Sequence, residues 1–249
     1  MDTDRRDFLK LTAGSLTFAL AADGAWAQTA KAEVHWLGQA TTKITTLTGK
    51  VIVIDPFLTN NPKTPPQYKN LDTLGKVDVV LVTHGHGDHT GDVAELAKRT
   101  GATVLGPAGL IATMIDLGWV TPEKGVRFGK GGRVNPLGPQ ITITQVRAEH
   151  SSEVTVTDPS TTKSTTYPRG EPSGFYKPDL IMIPIGGHFV MDPRDAAYAT
   201  KEMLKPKFAI PFHDGTFPVL RGTPQEYQAA LGQTSTQIFP ISPGDKLTF

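Results

Sequence analysis

Short apolar runs alternate with amphipathic segments along the chain from about residue 33 onward. Several runs, such as VIVI and FAIPF, have the continuous apolar character of strands that are buried on both faces. The predicted strands lie at residues 34–37, 42–46, 51–54, 77–82, 102–105, 141–150, 180–185 and 208–212. The predicted helices lie at residues 92–99, 110–119 and 195–204, and a last helix follows the capping pair Thr223-Pro224. Strands interspersed with helices predict a layered α/β fold.

Composition narrows the chemistry that this fold can carry. The chain has 249 residues, no cysteine and a formal net charge of +1. The absence of cysteine excludes disulfides, thiolate metal sites and cysteine nucleophiles, so any metal ion must be held by His, Asp or Glu. The near-zero net charge gives no indication of a nucleic-acid partner or of binding to an anionic membrane. The length suits a single domain with a sizeable core.

The first 27 residues have the pattern of an export signal. A twin arginine at positions 5 and 6 precedes DFLK, an apolar segment follows to about residue 22, and AWA at 25–27 offers small residues for cleavage. Asp4 departs from this signal type, which usually has Ser or Thr there. An uncleaved anchor is disfavoured because the apolar segment is short and rich in small residues. We predict a twin-arginine signal peptide over residues 1–27 and a periplasmic domain over residues 28–249, without a membrane span.

The stretch HGHGDHTGD follows the buried strand predicted at residues 77–82. Three of the seven histidines lie within six residues there, from His84 to His89. Gly85 and Gly87 allow the backbone to turn sharply, so the imidazoles and the Asp88 carboxylate can point into one small volume. Sites in α/β folds commonly lie at the carboxyl ends of strands, and this donor set suits zinc, iron or manganese. A loop of exposed histidines is the alternative interpretation.

The stretch THGHGDHTGD resembles the signature of the metallo-β-lactamase-fold superfamily. Further blocks are similar to its branch of small metal-dependent hydrolases, which is related to ascorbate-phosphate lactonases and N-acylphosphatidylethanolamine phospholipases D. These blocks are WLGQATTKI, VIDPF, AEHSS, PDLIMIPIGGHFVMDPRDAA and IPFHDGTFPVL, and they run from about residue 33 to the C-terminus. The resemblance implies a four-layer αββα sandwich that holds two divalent metal ions between its two β-sheets.

The resemblance also implies six metal ligands in two groups of three. The first group is His84, His86 and His150, and the second is Asp88, His89 and His213. The ions are expected to be zinc, with manganese or iron as alternatives, and Asp88 is expected to serve catalysis by orienting the attacking water. On the residues alone, the strand-end His150 is more readily structural or exposed than a ligand, whereas His213 is as readily one as the other.

Four further residues have predicted roles outside the six ligands. Asp55 ends a strand and is expected to orient a ligand histidine through a hydrogen bond. His188 follows two glycines and is expected to stand behind a ligand or to contact the substrate. His35 is expected to pack at the edge of the core. Gln39 stands where relatives often carry a histidine, so we expect an altered contact at that position.

One block that relatives carry is absent from this chain. Relatives have a GDT turn, whose aspartate bridges the two metal ions, before the strand that leads to PIGG. Here GEPSGF runs directly into YKPDL, so the fold is expected to lack one strand and one helix. No bridging ligand is identified, because the nearest aspartates, Asp158, Asp179 and Asp192, lack the expected context.

These residues predict a metal-dependent hydrolase in which a metal-bound hydroxide attacks an ester, lactone or phosphodiester of a small molecule. The alternative is a degenerate family member that binds one ion or a ligand without efficient turnover, because the bridging aspartate is missing. A structural or adhesive protein would not need convergent metal ligands. The sequence gives no specific support for β-lactamase activity and leaves the substrate and the oligomeric state open.

Overall fold

A computed structural model describes residues 31–148, 150–167, 173–174 and 179–249. Residues Ala32–Phe249 form one compact unit. The other unit, Met1–Lys31, falls almost wholly outside the described residues, and so does the predicted signal peptide of residues 1–27. No helix in the described part of the chain is both long and apolar enough to span a membrane.

The described residues form sixteen β-strands and five short α-helices. The strands are β1 (Glu33–Gly38), β2 (Thr41–Thr45), β3 (Val51–Ile54), β4 (Val79–Leu81), β5 (Thr103–Pro107), β6 (Gly125–Phe128), β7 (Arg133–Val134), β8 (Ile143–Thr144), β9 (Val146–Arg147), β10 (Val154–Thr157), β11 (Ser164–Tyr167), β12 (Ser173–Gly174), β13 (Leu180–Pro184), β14 (Phe208–Phe212), β15 (Gln237–Ile238) and β16 (Lys246–Thr248). The helices are α1 (Gly87–Thr90), α2 (Val93–Thr100), α3 (Ala108–Asp116), α4 (Pro193–Tyr198) and α5 (Pro224–Leu231).

A seven-stranded mixed sheet organises one half of the fold. Its strand order is β16-β1-β2-β3-β4-β5-β6. The pairs from β16 to β3 are antiparallel, whereas β3, β4, β5 and β6 run parallel to one another. The carboxyl ends of the parallel strands β3 and β4 therefore meet at one edge of the sheet, where Asp55 follows β3 and the histidine-rich loop follows β4.

A second, smaller sheet consists of β13, β14 and β15, all parallel. Its strand β14 leads to His213, so the carboxyl end of this sheet also supplies a residue of the predicted centre. Three two-stranded ladders, β7 with β8, β9 with β12, and β10 with β11, account for the other described strands. The structure thus has the α/β architecture with two sheets that the sequence predicts.

Helices α2 and α3 pack their apolar faces on the large sheet. Val93 and Leu96 of α2 and Met114 of α3 are fully buried in the main core cluster. Helix α2 ends at Gly101, whose left-handed backbone (φ 67°) lets its N–H donate to the Ala97 carbonyl oxygen. A residue with a side chain would strain this backbone conformation, so glycine sets the end of the helix.

The capping pair at residue 223 begins the last helix as predicted. The Thr223 hydroxyl accepts a hydrogen bond from the backbone N–H of Glu226, and the Glu226 side chain in turn accepts one from the Thr223 N–H. This reciprocal capping box satisfies backbone donors at the start of α5. Tyr227 and Leu231 of the same helix are fully buried against the smaller sheet's core cluster.

The predicted elements agree best where apolar runs are continuous. Strands β3 and β14 have the predicted bounds, and α2 starts one residue later than predicted. The single strand predicted over residues 141–150 was wrong, because the structure has two separate two-residue strands, β8 and β9, in its described part. The β10–β11 hairpin was not predicted, since its threonine-rich strands lack a continuous apolar face.

Replacing Leu96 with alanine tests whether α2 is held by its buried face. Leu96 is fully buried, so Leu96→Ala leaves a cavity and should lower the free energy of unfolding by about 2–5 kcal/mol. Lys98→Ala on the exposed face of the same helix is the matched control and should change it by less than about 0.5 kcal/mol. Urea denaturation measures both; equal losses would contradict the packing described for α2.

Candidate metal centre

The histidine-rich loop leaves strand β4 and is held against the chain that precedes strand β10. A Cβ atom at Gly85 would lie 2.8 Å from Val154 Cγ2 and 3.1 Å from the Glu153 carbonyl, so only glycine permits this approach. The Gly85 N–H donates to Ser152 Oγ at 3.0 Å. Gly85 thus brings His84 and His86 beside the segment that carries His150.

His84, His86 and His150 form the first group of potential metal ligands. One nitrogen atom from each ring lies within 4.8 Å of those of the other two. His84 Nε2 and His86 Nδ1 are 3.2 Å apart, and the His150 ring centroid lies 4.7 Å from that of His84 and 5.0 Å from that of His86. Three imidazoles from two segments of the chain therefore converge.

Asp88, His89 and His213 form the second group. Asp88 Oδ2 lies 3.6 Å from His89 Nε2 and 3.7 Å from His213 Nε2. Donor atoms that bind one zinc ion tetrahedrally at about 2.0–2.2 Å stand at comparable separations from one another, so these three fit a metal ion. The His84 and His89 ring centroids are 3.9 Å apart, which places the two groups side by side.

Outer residues orient the rings of both groups. His89 Nδ1 lies 2.9 Å from Asp55 Oδ2, and because a carboxylate only accepts, Nδ1 carries the proton and Nε2 directs its lone pair inward. His86 Nε2 likewise faces Glu153 Oε2 at 3.3 Å, which leaves His86 Nδ1 to face His84. Asp55 also accepts hydrogen bonds from the Thr83 N–H at 2.7 Å and the Thr83 hydroxyl at 2.6 Å.

Burial and the neighbouring charges favour neutral rings at His84 and His213 but favour a proton on His89. Burial, reinforced by the neighbouring histidines, lowers the pKa of His84 far below its ordinary value. Burial and the proximity of His89 lower the pKa of His213 to about 4. Burial also opposes protonation of His89, but Asp55 and Asp88 outweigh it and raise the pKa of His89. Neutral imidazoles and an ionised carboxylate are the forms that bind a metal ion.

Gln39 also lies in the centre, although little in the sequence predicts the position of its side chain. It is fully buried, and its Nε2 lies 2.7 Å from Asp88 Oδ2 and 3.0 Å from His213 Nε2. The sequence analysis expected only an altered contact there. Glu153 and Thr83 were missed entirely; each adjoins a predicted site segment, but nothing in the sequence shows where its side chain points.

The other two histidines, His35 and His188, are not members of either group. His35 is buried, with its Nε2 3.0 Å from the Gly244 carbonyl oxygen, as expected of a residue packed at the edge of the core. His188 is exposed and, together with Arg194 and Arg221, lines a cavity of about 970 Å³ beside α4 and α5. No contact that the structure gives His188 within the described residues involves the six clustered side chains.

The three aspartates nearest in sequence to the predicted deletion make contacts elsewhere. Asp158 hydrogen-bonds Ser160 in the turn of the β10–β11 hairpin. Asp179 pairs with Lys207, and Asp192 caps α4 by accepting from the backbone N–H groups of residues 194 and 195. None of the three belongs to a group of potential metal ligands among the described residues.

Comparison with known proteins gives a consistent family. A family model described as "Beta-lactamase superfamily domain" matches residues 50–213. A protein of Polaromonas sp. named "UPF0173 metal-dependent hydrolase" is 48% identical over 90% of this chain and 93% of its own length. A protein of the same name from Cupriavidus necator is 47% identical over 88% of this chain and 86% of its own length.

Solved structures agree with the sequence relatives. The structure of Igni18, described as a novel metallo hydrolase from the archaeon Ignicoccus hospitalis, matches with a TM-score of 0.71 and 25% identity. The match covers 88% of this chain and 98% of that one. An isothiocyanate hydrolase from Delia radicum gut bacteria matches with a TM-score of 0.60 and 17% identity, and shows the same fold.

Acid should destabilise the protein partly through His35, outside the centre. Burial and the nearby Lys246 lower the pKa of His35, so the unfolded state takes up a proton that the folded state resists. The stabilisation is complete above the unfolded-state pKa of about 6.5 and is lost as the pH falls below it. With bound metal removed by a chelator, we expect the urea concentration at the midpoint of unfolding to fall more steeply below that pH in wild type than in His35→Gln. The same pH dependence of the midpoint in wild type and His35→Gln would contradict this role of His35. His188→Gln, at an exposed histidine, is the control.

Proposed function

Because the chain belongs to the UPF0173 family of metal-dependent hydrolases, within the β-lactamase superfamily, we propose that its centre binds two divalent ions and hydrolyses an ester, lactone or phosphodiester of a small molecule. The observation that carries this proposal is the pair of adjacent three-residue groups, with the His84 and His89 rings 3.9 Å apart. Zinc is the proposed metal, since imidazole-rich sites without thiolates suit it; manganese and iron are the alternatives.

The proposed ligands of the first ion are His84, His86 and His150. Those of the second ion are Asp88, His89 and His213. When bound, such ions would activate water and polarise the bond to be cleaved. The protein residues would hold the geometry: Asp55 and Glu153 fix two of the imidazole rings, as hydrogen-bonding partners of metal ligands commonly do.

Asp88 is the proposed catalytic residue. Its Oδ2 lies between His89 and His213, and its carboxylate is about a quarter exposed, whereas the two rings beside it are nearly inaccessible. A carboxylate in that position can accept a hydrogen bond from a water molecule and orient it toward a substrate. Burial opposes ionisation of Asp88, but His89, Gln39 and His213 outweigh it and hold its pKa below the ordinary value.

The second candidate function is the binding of metal or ligand without efficient turnover, as in a degenerate member of the family. The centre contains one carboxylate among its six proposed ligands, so two adjacent cations would be poorly compensated. The alignment with the Cupriavidus necator relative spans 249 positions but covers 88% of this chain, about 219 residues. About 30 positions of that relative therefore have no counterpart here, which fits a missing block between GEPSGF and YKPDL.

We also propose that the protein is exported to the periplasm and that residues 1–27 are removed. The twin arginine at positions 5 and 6, the short apolar segment and the AWA cleavage site support this proposal. The twin-arginine route carries folded proteins, which suits a protein that acquires its metal ions before export.

Metal content tests the proposed centre most directly. We expect elemental analysis of the purified mature protein to give close to two ions per chain, and fewer in His86→Ala. Hydrolysis of p-nitrophenyl esters, γ-lactones or bis-p-nitrophenyl phosphate should fall at least about 100-fold in the same variant, because outer residues alone are worth 10- to 100-fold. His35→Gln controls for loss of a buried histidine outside the centre.

Each outcome of that experiment separates the two candidate functions. Two ions with hydrolysis of any of these probes support the hydrolase. Two ions, or one, with no hydrolysis of any probe favour the member with poor turnover. An ion content that is unchanged in His86→Ala would show that the histidine cluster does not hold the metal.

Replacing both arginines of the N-terminal pair with lysine tests the proposed export. Lysine keeps the positive charge, so a general charge requirement would leave export intact, whereas a twin-arginine signal should fail. We expect the variant to accumulate uncleaved in the cytoplasmic fraction, and Lys31→Gln, outside the signal, to be exported and cleaved normally. Cell fractionation with N-terminal sequencing measures both; export of the double-lysine variant would exclude the twin-arginine route.

A further inference from the structure

The Gln39 side chain stands among the atoms that would bind the second metal ion. Its Nε2 lies 2.7 Å from Asp88 Oδ2 and 3.0 Å from His213 Nε2, and those two atoms are 3.7 Å apart. An ion bound to both at about 2.0–2.2 Å would meet the same amide group. With the ion in place, the end of the Gln39 side chain must therefore either bind the ion or move away.

The metal-free contacts fix which amide atom faces the centre. An ionised carboxylate only accepts hydrogen bonds, so the atom facing Asp88 is the amide nitrogen, which donates. His213 Nε2 then accepts from the same amide, and its lone pair points into the centre. The Gln39 oxygen, Oε1, is buried and has no hydrogen-bond partner among the residues that the structure describes. Such an orphaned buried acceptor is unusual in a folded protein.

A cation changes which orientation is favourable. The amide nitrogen has no lone pair available for a metal ion, whereas the amide oxygen is a good ligand for divalent cations. Half a turn about the last side-chain bond exchanges the two atoms with almost no change of shape. Without the ion, this turn would bring Oε1 against the Asp88 carboxylate; with the ion, the positive charge removes that repulsion.

We propose that Gln39 is a ligand of the second metal ion, binding it through Oε1 after its amide turns over. This inference rests on the proposed two-metal function and adds to it a ligand that is specific to the glutamine of this chain. A neutral amide adds no charge, so it compensates only in part for a bridging carboxylate.

A backbone turn that is held by hydrogen bonding positions Gln39 in the centre. Gln39 has a left-handed conformation (φ 51°), which is uncommon for a residue with a side chain. The indole N–H of Trp36 donates to the Gln39 carbonyl oxygen at 3.0 Å, and the preceding Gly38 (φ 110°) lets the turn lie against Asn61. Strained backbone conformations persist where surrounding contacts fix them, often at functional sites.

The test measures the affinity of each ion separately in wild type, Gln39→Leu and Gln39→Glu. Metal-free protein is titrated with Co²⁺ in a chelator-buffered series, with d–d absorption and elemental analysis as readouts. We expect Gln39→Leu to weaken the second ion at least tenfold and to leave the first unchanged. Gln39→Glu should bind the second ion more tightly than wild type, because it supplies a charged oxygen at the same place.

Other roles of Gln39 give different patterns. If the amide merely obstructs the site, Gln39→Leu would bind the second ion as tightly as wild type or more tightly. If Gln39 only holds Asp88 by hydrogen bonding, Gln39→Glu would weaken the second ion as Gln39→Leu does, since a carboxylate repels Asp88. Either pattern overturns the ligand role. Gln145→Leu is the matched control, at another buried glutamine whose side-chain atoms have no hydrogen-bond partner within the described part of the chain.

The wild-type titration separates this inference from the proposed function. Two ions with the expected variant pattern, but no hydrolysis, would support the ligand role and contradict only the hydrolase activity. A single ion bound by wild type at every Co²⁺ concentration would contradict the two-metal centre and the ligand role together. Hydrolysis with unchanged second-ion affinity in Gln39→Leu would overturn the ligand role alone.

Discussion

The Asp55 carboxylate is the link on which the geometry of the centre depends. One of its oxygens accepts from the Thr83 N–H, and the other lies within hydrogen-bonding distance of the Thr83 hydroxyl and His89 Nδ1. Asp55 follows strand β3 and Thr83 follows strand β4, so one buried side chain ties together two adjacent parallel strands and a ring of the cluster. The left-handed backbone at Asp55 (φ 46°) is the local cost of this arrangement.

The two groups of potential metal ligands differ in the charges that surround their histidine rings. His89 is flanked by Asp55 and Asp88, whereas His84 is surrounded mainly by other imidazoles, with the Thr83 hydroxyl beside its Nδ1. A proton is therefore favoured on His89 and strongly disfavoured on His84, although both rings are buried. Each ring of such a cluster has a state set by its neighbours, so a cation entering the centre displaces a proton from some rings and meets lone pairs already free on others.

The sequence predicts the elements of this fold well where a single local property, such as continuous hydrophobicity, determines the structure. Continuous apolar runs predict β3 and β14, because a strand buried on both faces tolerates little else. The spacing of His84, His86, Asp88 and His89 indicates that these groups face one volume. The role of Glu153 and the direction of the Gln39 amide depend on contacts between distant segments, which no local pattern contains. His188, which follows two glycines, is exposed and lines a cavity, and its role near the substrate stays a prediction.

Gly85 has a consequence for how this protein can vary. Its contact with Val154 and Glu153 fixes the base of the β10–β11 hairpin against the histidine loop, while the strands lead away to an exposed turn around Asp158. The contacts that hold the histidine loop therefore lie at the base of the hairpin and do not involve its exposed turn. Insertions or substitutions in that turn should leave the Gly85 contacts, and with them the positions of His84 and His86, unchanged.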